Sequence, residues 1–244
     1  MMQQYIKRIK ALIAELEQGQ KVNMRKAAEK VAEGLAKGGI IQLFGAGHSH
    51  LLAEEVFYRA GGLVPVKPIF EERLMLHQGA VRSSRLEKQC GYADTFIQDQ
   101  DIREHDVVFV ISTSGRNPVP IDVALAAKEK RAYVIGITSL TYSRSQPSRH
   151  PSGQRLYEVV DLTIDNLSVK GDAILTHEKL SAPFGPSSTV MGAIILNSVF
   201  AEAIHLLLEQ GIEPPVFLSG NLDGAEAHNQ ALIEKYRERI PLLS

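Results

Sequence analysis

The sequence predicts an α/β protein, a three-layer sandwich in which a five-stranded parallel, flavodoxin-like sheet carries helices on both faces. From Ile40 onwards, short apolar runs alternate with segments of helical periodicity. These runs are apolar at nearly every position rather than at every second one. Such runs are typical of strands buried on both faces of a parallel sheet. Further helices are predicted at both ends of the chain.

Two helices are predicted before the first strand. The first carries apolar residues at helical spacing and ends at Gly19, and the second covers Val22–Ala36. We therefore divide one domain into an N-terminal helical extension (1–38), a core (39–209) and a C-terminal loop and helix (210–244). The apolar positions of the first helix are Ile6, Ile9, Leu12, Ile13 and Leu16.

Strands and helices are predicted to alternate along the core. The predicted strands are Ile40–Phe44, Leu63–Val66, Val107–Ile111 and Tyr133–Ile137, with weaker candidates at Val159–Ile164 and Ala173–Leu175. The predicted helices are His48–Arg59, Pro118–Lys130, Pro186–Glu209 and Ala225–Arg239. Thr141–Arg155 is rich in Ser, Arg and Pro, so it is predicted to be a loop. Its basic residues could steer a phosphorylated substrate or, the favoured interpretation, be solvated.

Composition excludes several classes of protein. The chain has 244 residues and a net charge of −1, which argues against a general nucleic-acid or membrane-surface binder. The single Cys90 excludes an internal disulfide and fits a reducing compartment, so we expect a cytoplasmic protein. The most apolar segment, Gly192–Leu208, is interrupted by Asn197, Glu202 and His205, and we expect it not to span a bilayer.

Small and hydroxylated residues follow two of the predicted strands. Gly45 and Gly47 let backbone amides approach a ligand, and Ser49 falls in the first helical turn, where free N–H groups favour an anion. After the second of these strands come the hydroxyls of Ser112–Ser114, and Asn117 precedes a proline as a helix cap would. Ligands of parallel sheets bind beyond the carboxyl ends of the strands. The two junctions together therefore predict a phosphate site.

Each junction alone has a simpler interpretation. Gly45–His50 matches a dinucleotide fingerprint incompletely, and Val64–Lys67 lacks the acidic residue that would bind a ribose, so NAD is disfavoured. The segment Ser112–Ser114 by itself is equally compatible with a plain turn followed by a helix cap. Their joint presence at two strand ends favours phosphate.

The paired motifs resemble those of the SIS (sugar isomerase) domain family. The GxGxSxxxA motif is present as Gly45–Ala53 and the S-x-S-G turn as Ser112–Gly115, and the resemblance extends over Gly39–Glu209. It implies binding of a phosphosugar. The chain resembles bacterial members related to phosphoheptose isomerase and to N-acetylmuramic acid 6-phosphate etherase. The resemblance thus implies an aldose–ketose sugar-phosphate isomerase. The alternatives are a non-catalytic phosphosugar sensor and an etherase acting on a lactyl-amino-sugar phosphate.

The resemblance also implies which residues hold the sugar phosphate. Asn117 departs from the Ser or Thr of many members, and its amide could donate to phosphate or cap the helix. Ser187 and Ser188 open a helix that lies near the sugar in the family, or they are a plain helix start. The implied binding residues are Gly45, Gly47, Ser49, Ser112, Thr113, Ser114, Asn117, Ser187 and Ser188.

Three side chains are candidate proton shuttles. The position that carries the base in phosphoheptose isomerases is Arg59, which cannot act as a base, and Glu55 lies four residues earlier on the same helical face. Glu87 resembles an acidic residue of the etherases, and His228 lies in a segment that reaches a site, sometimes of a neighbouring subunit. Each has a structural alternative: Glu55 as a solvated carboxylate, Glu87 as a member of a surface ion pair, and His228 as a helix cap.

We expect neither a cofactor nor a metal ion. His48 and His50 are two residues apart, but no cysteine or carboxylate cluster accompanies them. The expected partner is a small-molecule sugar phosphate, without nucleic acid or membrane. Because family members build sites between subunits, a homodimer or homotetramer is expected.

Overall fold

Five parallel strands form the central sheet of the computed structural model, which describes residues 1–244. Their order along the sheet is β2-β1-β3-β4-β5, with every neighbouring pair parallel. The predicted flavodoxin-like sheet is confirmed. The strands are β1 (Ile41–Gly45), β2 (Val66–Pro68), β3 (Val107–Ile111), β4 (Tyr133–Thr138) and β5 (Leu162–Asp165).

Nine α-helices surround the sheet, and an antiparallel hairpin of two further strands lies outside it. The hairpin consists of β6 (Leu175–His177) and β7 (Leu180–Phe184). The helices are α1 (Met2–Gly19), α2 (Lys21–Ala36), α3 (His50–Glu55), α4 (Ala80–Leu86), α5 (Pro118–Glu129), α6 (Leu140–Arg144), α7 (Leu156–Val159), α8 (Ser188–Glu209) and α9 (Ala225–Tyr236).

Successive residues of the strands point to opposite faces of the sheet, and each face has its own apolar core. Phe109 lies with α2, α3 and α8 on one face, and Val108 and Val110 lie with α5 and α7 on the other. All five residues of β3 are buried. This double burial explains why the strand is apolar at every position.

Several predicted boundaries are wrong. The helix predicted over His48–Arg59 ends at Glu55, because the chain turns there and Tyr58 takes a φ of 46°. The second strand lies at Val66–Pro68, a few residues later than predicted. Ala173–Leu175 contributes only its last residue to a strand, and that strand belongs to the outer hairpin. Within the predicted loop Thr141–Arg155, the first residues complete the short helix α6.

The C-terminal helix is anchored at the amino end of the sheet. Asp106, which directly precedes β3, is buried and accepts hydrogen bonds from the backbone N–H of Ile40 and the side chain of Gln42. Arg239, just beyond α9, donates to the same carboxylate at 2.8 Å. A buried carboxylate needs such partners to offset the loss of hydration. The anchor therefore holds α9 at the end of the sheet opposite to the strand termini that carry the two motifs.

Helix α8 is long and apolar enough to cross a membrane by length and composition. Half of that apolar window is buried inside the fold. One face of α8 supplies Met191, Ile195 and Val199 to the core.

Candidate functional site

The first junction is shaped by close packing of backbone on backbone. A Cβ at Gly45 would lie 2.5 Å from the carbonyl carbon of Ser49, so only glycine lets the chain fold back there. His50 is buried, and its ring is hydrogen-bonded to the carbonyl of Gly47. This histidine therefore holds the turn in place. Ser49 is partly exposed, at the start of α3.

The second junction is a turn of hydroxyl-bearing residues between β3 and α5. Ser112 Oγ accepts the N–H of Gly115 at 3.3 Å, which leaves its own proton free to donate. Thr113 lies next to Asn166, whose amide approaches the threonine hydroxyl at 3.4 Å. Ser114 is partly exposed. Gly115 takes a φ of 57°, and a Cβ there would lie 2.6 Å from Thr138 Oγ1.

The sheet brings these two junctions side by side. Strands β1 and β3 are hydrogen-bonded neighbours, and Gly45 pairs in register with Ile111. Adjacent strands are about 4.8 Å apart, so the chain emerges from β1 at Gly45 and from β3 at Ser112 at the same end of the sheet. Ser49 and the Ser112–Ser114 turn therefore follow neighbouring strands at the same end of the sheet. Neutral donors at the start of a helix form the environment that a phosphate requires.

A chain of three polar side chains borders the turn. Asn117 Nδ2 donates to Glu87 Oε1 at 3.0 Å, and Asn117 Oδ1 accepts from Arg149 at 2.9 Å. Asn117 occupies the N-cap position of α5 but makes no side-chain cap. Both ends of its amide are instead taken by the two charged neighbours. The structure thus places Glu87 next to the start of α5, where the backbone N–H of Val119 also reaches its carbonyl at 3.4 Å.

The environment of Glu87 favours a bound proton. Burial raises the pKa of its carboxyl above the ordinary value of 4.5, while the hydrogen bond from Asn117 acts in the opposite direction. A carboxylate with a raised pKa is a stronger base than a solvated one. Such a group next to a turn lined with hydroxyl donors is suited to proton transfer.

Positive charge gathers on the other side of the turn. The backbone N–H of Arg149 donates to the carbonyl of Arg116, so the segment after α6 packs on the turn. Burial lowers the pKa of Arg116, and the guanidinium of Arg149 lowers it further. The Nε of Arg116 is buried and has no hydrogen-bond partner. Like charges held together in this way favour an anionic ligand.

Residues 4–139 match the SIS domain family. This is more than half of the chain, and it contains both junctions. The chain belongs to the SIS domain family. The UPF0309 protein of Geobacillus thermodenitrificans is 65% identical over 243 residues, covering 100% of this chain and 98% of that protein. A UPF0309 protein of Lysinibacillus sphaericus, described as lying in the nagA 3′ region, is 45% identical and covers 100% and 99% of the two chains.

Structures of sugar-phosphate isomerases share the fold of this SIS domain. Phosphoheptose isomerase from Neisseria gonorrhoeae superposes with a TM-score of 0.53 and 16% identity, covering 84% of this chain and 96% of the other. A Methanococcus jannaschii protein, for which a 3-hexulose-6-phosphate isomerase function was inferred, gives a TM-score of 0.51 and 17% identity, with coverages of 85% and 91%. At these low sequence identities, the similarity to the two structures shows a shared fold and nothing more.

In this SIS domain, Ser187 and Ser188 donate hydrogen bonds to a carboxylate of the chain itself, that of Asp172. The carboxylate of Asp172 accepts from the backbone N–H of both serines, at 3.0 and 2.8 Å, and from both hydroxyls. Ser187 also lies 3.3 Å from Ser168 Oγ, and Ser168 N–H donates to Asn166, the neighbour of Thr113. Ser187 is thus linked to Thr113 of the Ser112–Ser114 turn only through Ser168 and Asn166, and its donors are directed to Asp172.

Replacing Asp172 with asparagine should lower the free energy of unfolding by about 1–2 kcal/mol, because the start of α8 loses a charged cap. Asparagine adopts the positive φ of 55° as readily as aspartate, so the change isolates the charge. Urea denaturation at neutral pH measures the effect. The exposed Asp99 provides the matched control, Asp99→Asn, which should change stability by less than about 0.5 kcal/mol. Equal effects of the two changes would contradict the capping role.

The other two candidate proton shuttles lie elsewhere. Glu55 is the last residue of α3 and forms an ion pair with Arg59 at 2.7 Å on the surface. His228 is exposed on α9, and its Nε2 lies 2.9 Å from the carbonyl of Val216. Because Val216 pairs with Leu63, before β2, His228 is at the amino end of the sheet. Within one chain the structure brings only Glu87 next to the Ser112–Ser114 turn.

Two contacts of the site are not specified by the sequence pattern. Arg149 lies in the segment predicted to be a basic loop that is solvated or steers a phosphorylated substrate, and its contact with Asn117 depends on the fold of the segment after β4. Asp172 carries no motif, and its role arises from the return of the chain through the β6–β7 hairpin. One signal in the sequence pointed to Arg149. Thr141–Arg155 is rich in arginine and follows a predicted strand.

Proposed function

We propose that this SIS protein is an aldose–ketose isomerase acting on a sugar phosphate, with Glu87 as its acid–base residue. The observation that carries the proposal is the position of Glu87, a partly buried carboxylate with a raised pKa, held by Asn117 at the start of α5. Conversion of an aldose to a ketose moves one proton from C2 to C1 and a hydroxyl proton from O2 to O1, through an enediol. Glu87 takes the proton from one carbon and returns it to the other. No oxidant or reductant takes part.

The phosphate of the substrate binds the hydroxyls of Ser49, Ser112, Thr113 and Ser114. Gly45 and Gly47 bring the backbone close to the same region. One amide hydrogen of Asn117 is directed to Glu87 and orients that carboxylate, and the second amide hydrogen is left to donate to the phosphate. The convergent guanidinium groups of Arg116 and Arg149 attract an anion to this end of the sheet.

A non-catalytic phosphosugar-binding protein is the second candidate function. The ion pair between Arg59 and Glu55 favours it, because a cation stands where phosphoheptose isomerases carry their base. The same pocket would then bind a sugar phosphate without turnover. An etherase acting on a lactyl-amino-sugar phosphate would use Glu87 as a general acid, so it shares the residue and differs in the product.

Thermal unfolding in the presence of a panel of sugar phosphates tests binding first. A ligand at 100 times its Kd stabilises the native state by about 2.7 kcal/mol, which corresponds to roughly 5–10 °C in a chain of this size. The panel contains aldose, ketose and lactyl-amino-sugar phosphates, each beside its unphosphorylated sugar as the control. Ligands that raise Tm are then assayed for isomerised and cleaved products. If no phosphorylated sugar raises Tm above its unphosphorylated counterpart, the proposed function is wrong.

A further inference from the structure

The segment between α6 and α7 packs against the turn that follows β3. The backbone N–H of Arg149 donates to the carbonyl of Arg116 at 2.8 Å. The guanidinium of Arg149 donates to Asn117 Oδ1 at 2.9 Å. Main chain and side chain of Arg149 are therefore both attached to the residues that directly follow the Ser112–Ser114 turn.

A histidine–aspartate pair fixes this segment to α5. His150 Nε2 lies 2.8 Å from Asp122 Oδ1, and the two side chains are only 11% and 20% exposed. The backbone N–H of Ser152 donates to His150 Nδ1 at 3.2 Å, so Nδ1 is an acceptor and Nε2 carries the proton donated to Asp122. Because His150 directly follows Arg149 in the chain, the pair determines where Arg149 lies.

Asp122 has no hydrogen-bond partner other than His150. Its second side-chain oxygen, Oδ2, is buried and unpaired. A carboxylate removed from water loses hydration, and a single hydrogen bond offsets only part of that loss. Unpaired buried polar atoms are found where they serve a functional site. The buried oxygen therefore favours a positioning role for Asp122 over a purely stabilising one.

Arg149 is a cation without an acidic partner. It forms no salt bridge, and its side-chain hydrogen bond to Asn117 is to a neutral amide, so further N–H donors of the guanidinium remain for a ligand. Arg116 also forms no salt bridge, and its Nε is buried without a partner. Residues 140–160 contain three arginines and one acidic residue. This excess of positive charge favours an anion.

Asn117 places this cation beside the site proposed for the phosphate. One amide hydrogen of Asn117 is directed to Glu87, and its Oδ1 accepts from Arg149. The second amide hydrogen and the hydroxyls of Ser112–Ser114 are the proposed donors to the phosphate. A phosphate that accepts from Asn117 is thus separated from the guanidinium by one side-chain amide. The hydroxyls and the amide are neutral donors, to which Arg149 adds a positive charge.

A positive charge beside neutral donors changes which anion the site prefers. Hydroxyl and amide donors bind singly and doubly charged groups of the same shape through the same hydrogen bonds. A guanidinium favours the doubly charged group, because Coulomb attraction grows with charge and charge-assisted hydrogen bonds are stronger. A phosphate monoester has a second pKa of about 6 and is a dianion above neutral pH. A sulfate monoester has the same shape and a single negative charge.

We propose that Arg149 gives this site its preference for a dianionic phosphate and that the Asp122–His150 pair positions Arg149. The inference rests on the proposed function, because the phosphate has to bind at the Ser112–Ser114 turn. It adds a specificity-determining cation from the segment after β4. His150 and Asp122 are positioning residues, which act through Arg149 and do not touch the substrate.

Isothermal titration with glucose 6-phosphate and glucose 6-sulfate at about pH 8 measures the preference as a ratio of two Kd values. Wild type should bind the phosphate roughly tenfold or more tightly than the sulfate, and Arg149→Gln should lower this ratio by about tenfold. Arg144→Gln is the matched control. It removes the same charge from the same segment, where the guanidinium lies 5.5 Å from the ring centre of Tyr157, and it should keep the wild-type ratio.

Variants of Asp122 test the positioning role. Asp122→Ala should lower the ratio nearly as far as Arg149→Gln, because the segment loses its attachment to α5. Asp122→Asn keeps an oxygen that accepts from His150 Nε2, so it should retain the wild-type ratio. The double change Asp122→Ala with Arg149→Gln should have the ratio of Arg149→Gln alone, because the pair acts through Arg149. A merely structural role of the pair would weaken binding of both ligands equally and leave the ratio unchanged.

Two results would overturn the inference. Equal ratios in Arg149→Gln and Arg144→Gln would remove Arg149 from the selection of phosphate. A wild-type ratio in Asp122→Ala, with an unchanged circular dichroism spectrum, would remove the positioning role of the pair. Neither result is the failure of the proposed function, which is shown when no sugar phosphate raises Tm. Here glucose 6-phosphate binds and only its preference over glucose 6-sulfate is compared.

Discussion

Replacing Glu87 with glutamine should reduce turnover of the sugar phosphate by about 10²–10⁴-fold, the contribution expected of a positioned acid–base group. Glutamine keeps the volume of the side chain and an oxygen that accepts from Asn117. It cannot take up a proton from carbon. Binding of the substrate should change little, because Glu87 is not among the proposed phosphate donors. Steady-state kinetics and a binding titration on the same preparation measure the two quantities separately.

Glu55→Gln is the matched control, because Glu55 is a helical carboxylate held in a surface ion pair. It should retain turnover within a few-fold. Equal losses in the two variants would show that neither carboxylate is specifically the acid–base residue. A Glu87→Gln variant with full turnover would remove Glu87 from the mechanism.

The raised pKa of Glu87 adds a dependence on pH with a defined sign. Because the folded pKa lies above the unfolded value near 4.5, the folded state binds more protons in that interval. The free energy of unfolding therefore falls as pH rises from about 4.5 through the folded pKa. Glutamine does not titrate, so the wild type should lose stability relative to Glu87→Gln over this window. Urea denaturation of both proteins along a pH series measures the difference.

Replacing Gly115 with alanine should destabilise the protein by about 2–5 kcal/mol and abolish binding of the sugar phosphate. Of this, about 1–2 kcal/mol is the cost of the left-handed conformation for a residue with a Cβ. Overpacking adds about 1–3 kcal/mol, because the new methyl group would lie 2.6 Å from Thr138 Oγ1 and 3.1 Å from Ser143 Oγ. Relief of these contacts displaces the turn and its hydroxyls. Thermal unfolding and a binding titration report the two consequences.

Gly153 supplies a matched control for the same chemical change. It has a φ of 76°, but a Cβ there meets no atom within 4 Å. Gly153→Ala should therefore carry only the backbone cost of about 1–2 kcal/mol and leave ligand binding intact. If Gly115→Ala proves no more destabilising than this control, the packing of Thr138 and Ser143 against the turn is not what requires glycine.

The positions of the two polar junctions, Gly45–Ser49 and Ser112–Gly115, could be predicted from local sequence. The strands β1 and β3 are apolar throughout, and the residues that follow them belong to the two motifs, so both junctions could be placed at one edge of a sheet. The periodicity of apolar residues and the residue preferences of turns are set by a few neighbouring residues. Strands and the turns that follow them can therefore be inferred from one sequence. The end of α3 could not be inferred, because its sequence continues the helical pattern while the chain turns at Tyr58.

The sequence by itself therefore determined the fold class and the two polar strand ends, since local periodicity and strand burial encode both. Only the tertiary structure decided which carboxylate lies at the turn. Glu87 and Glu55 are both plausible from their sequence context, but Glu87 meets Asn117 through a contact between residues 30 positions apart. The same holds for Arg149 and for Asp172 at the start of α8. Contacts of this kind depend on how loops return to the sheet, and the pattern of any one segment does not specify that path.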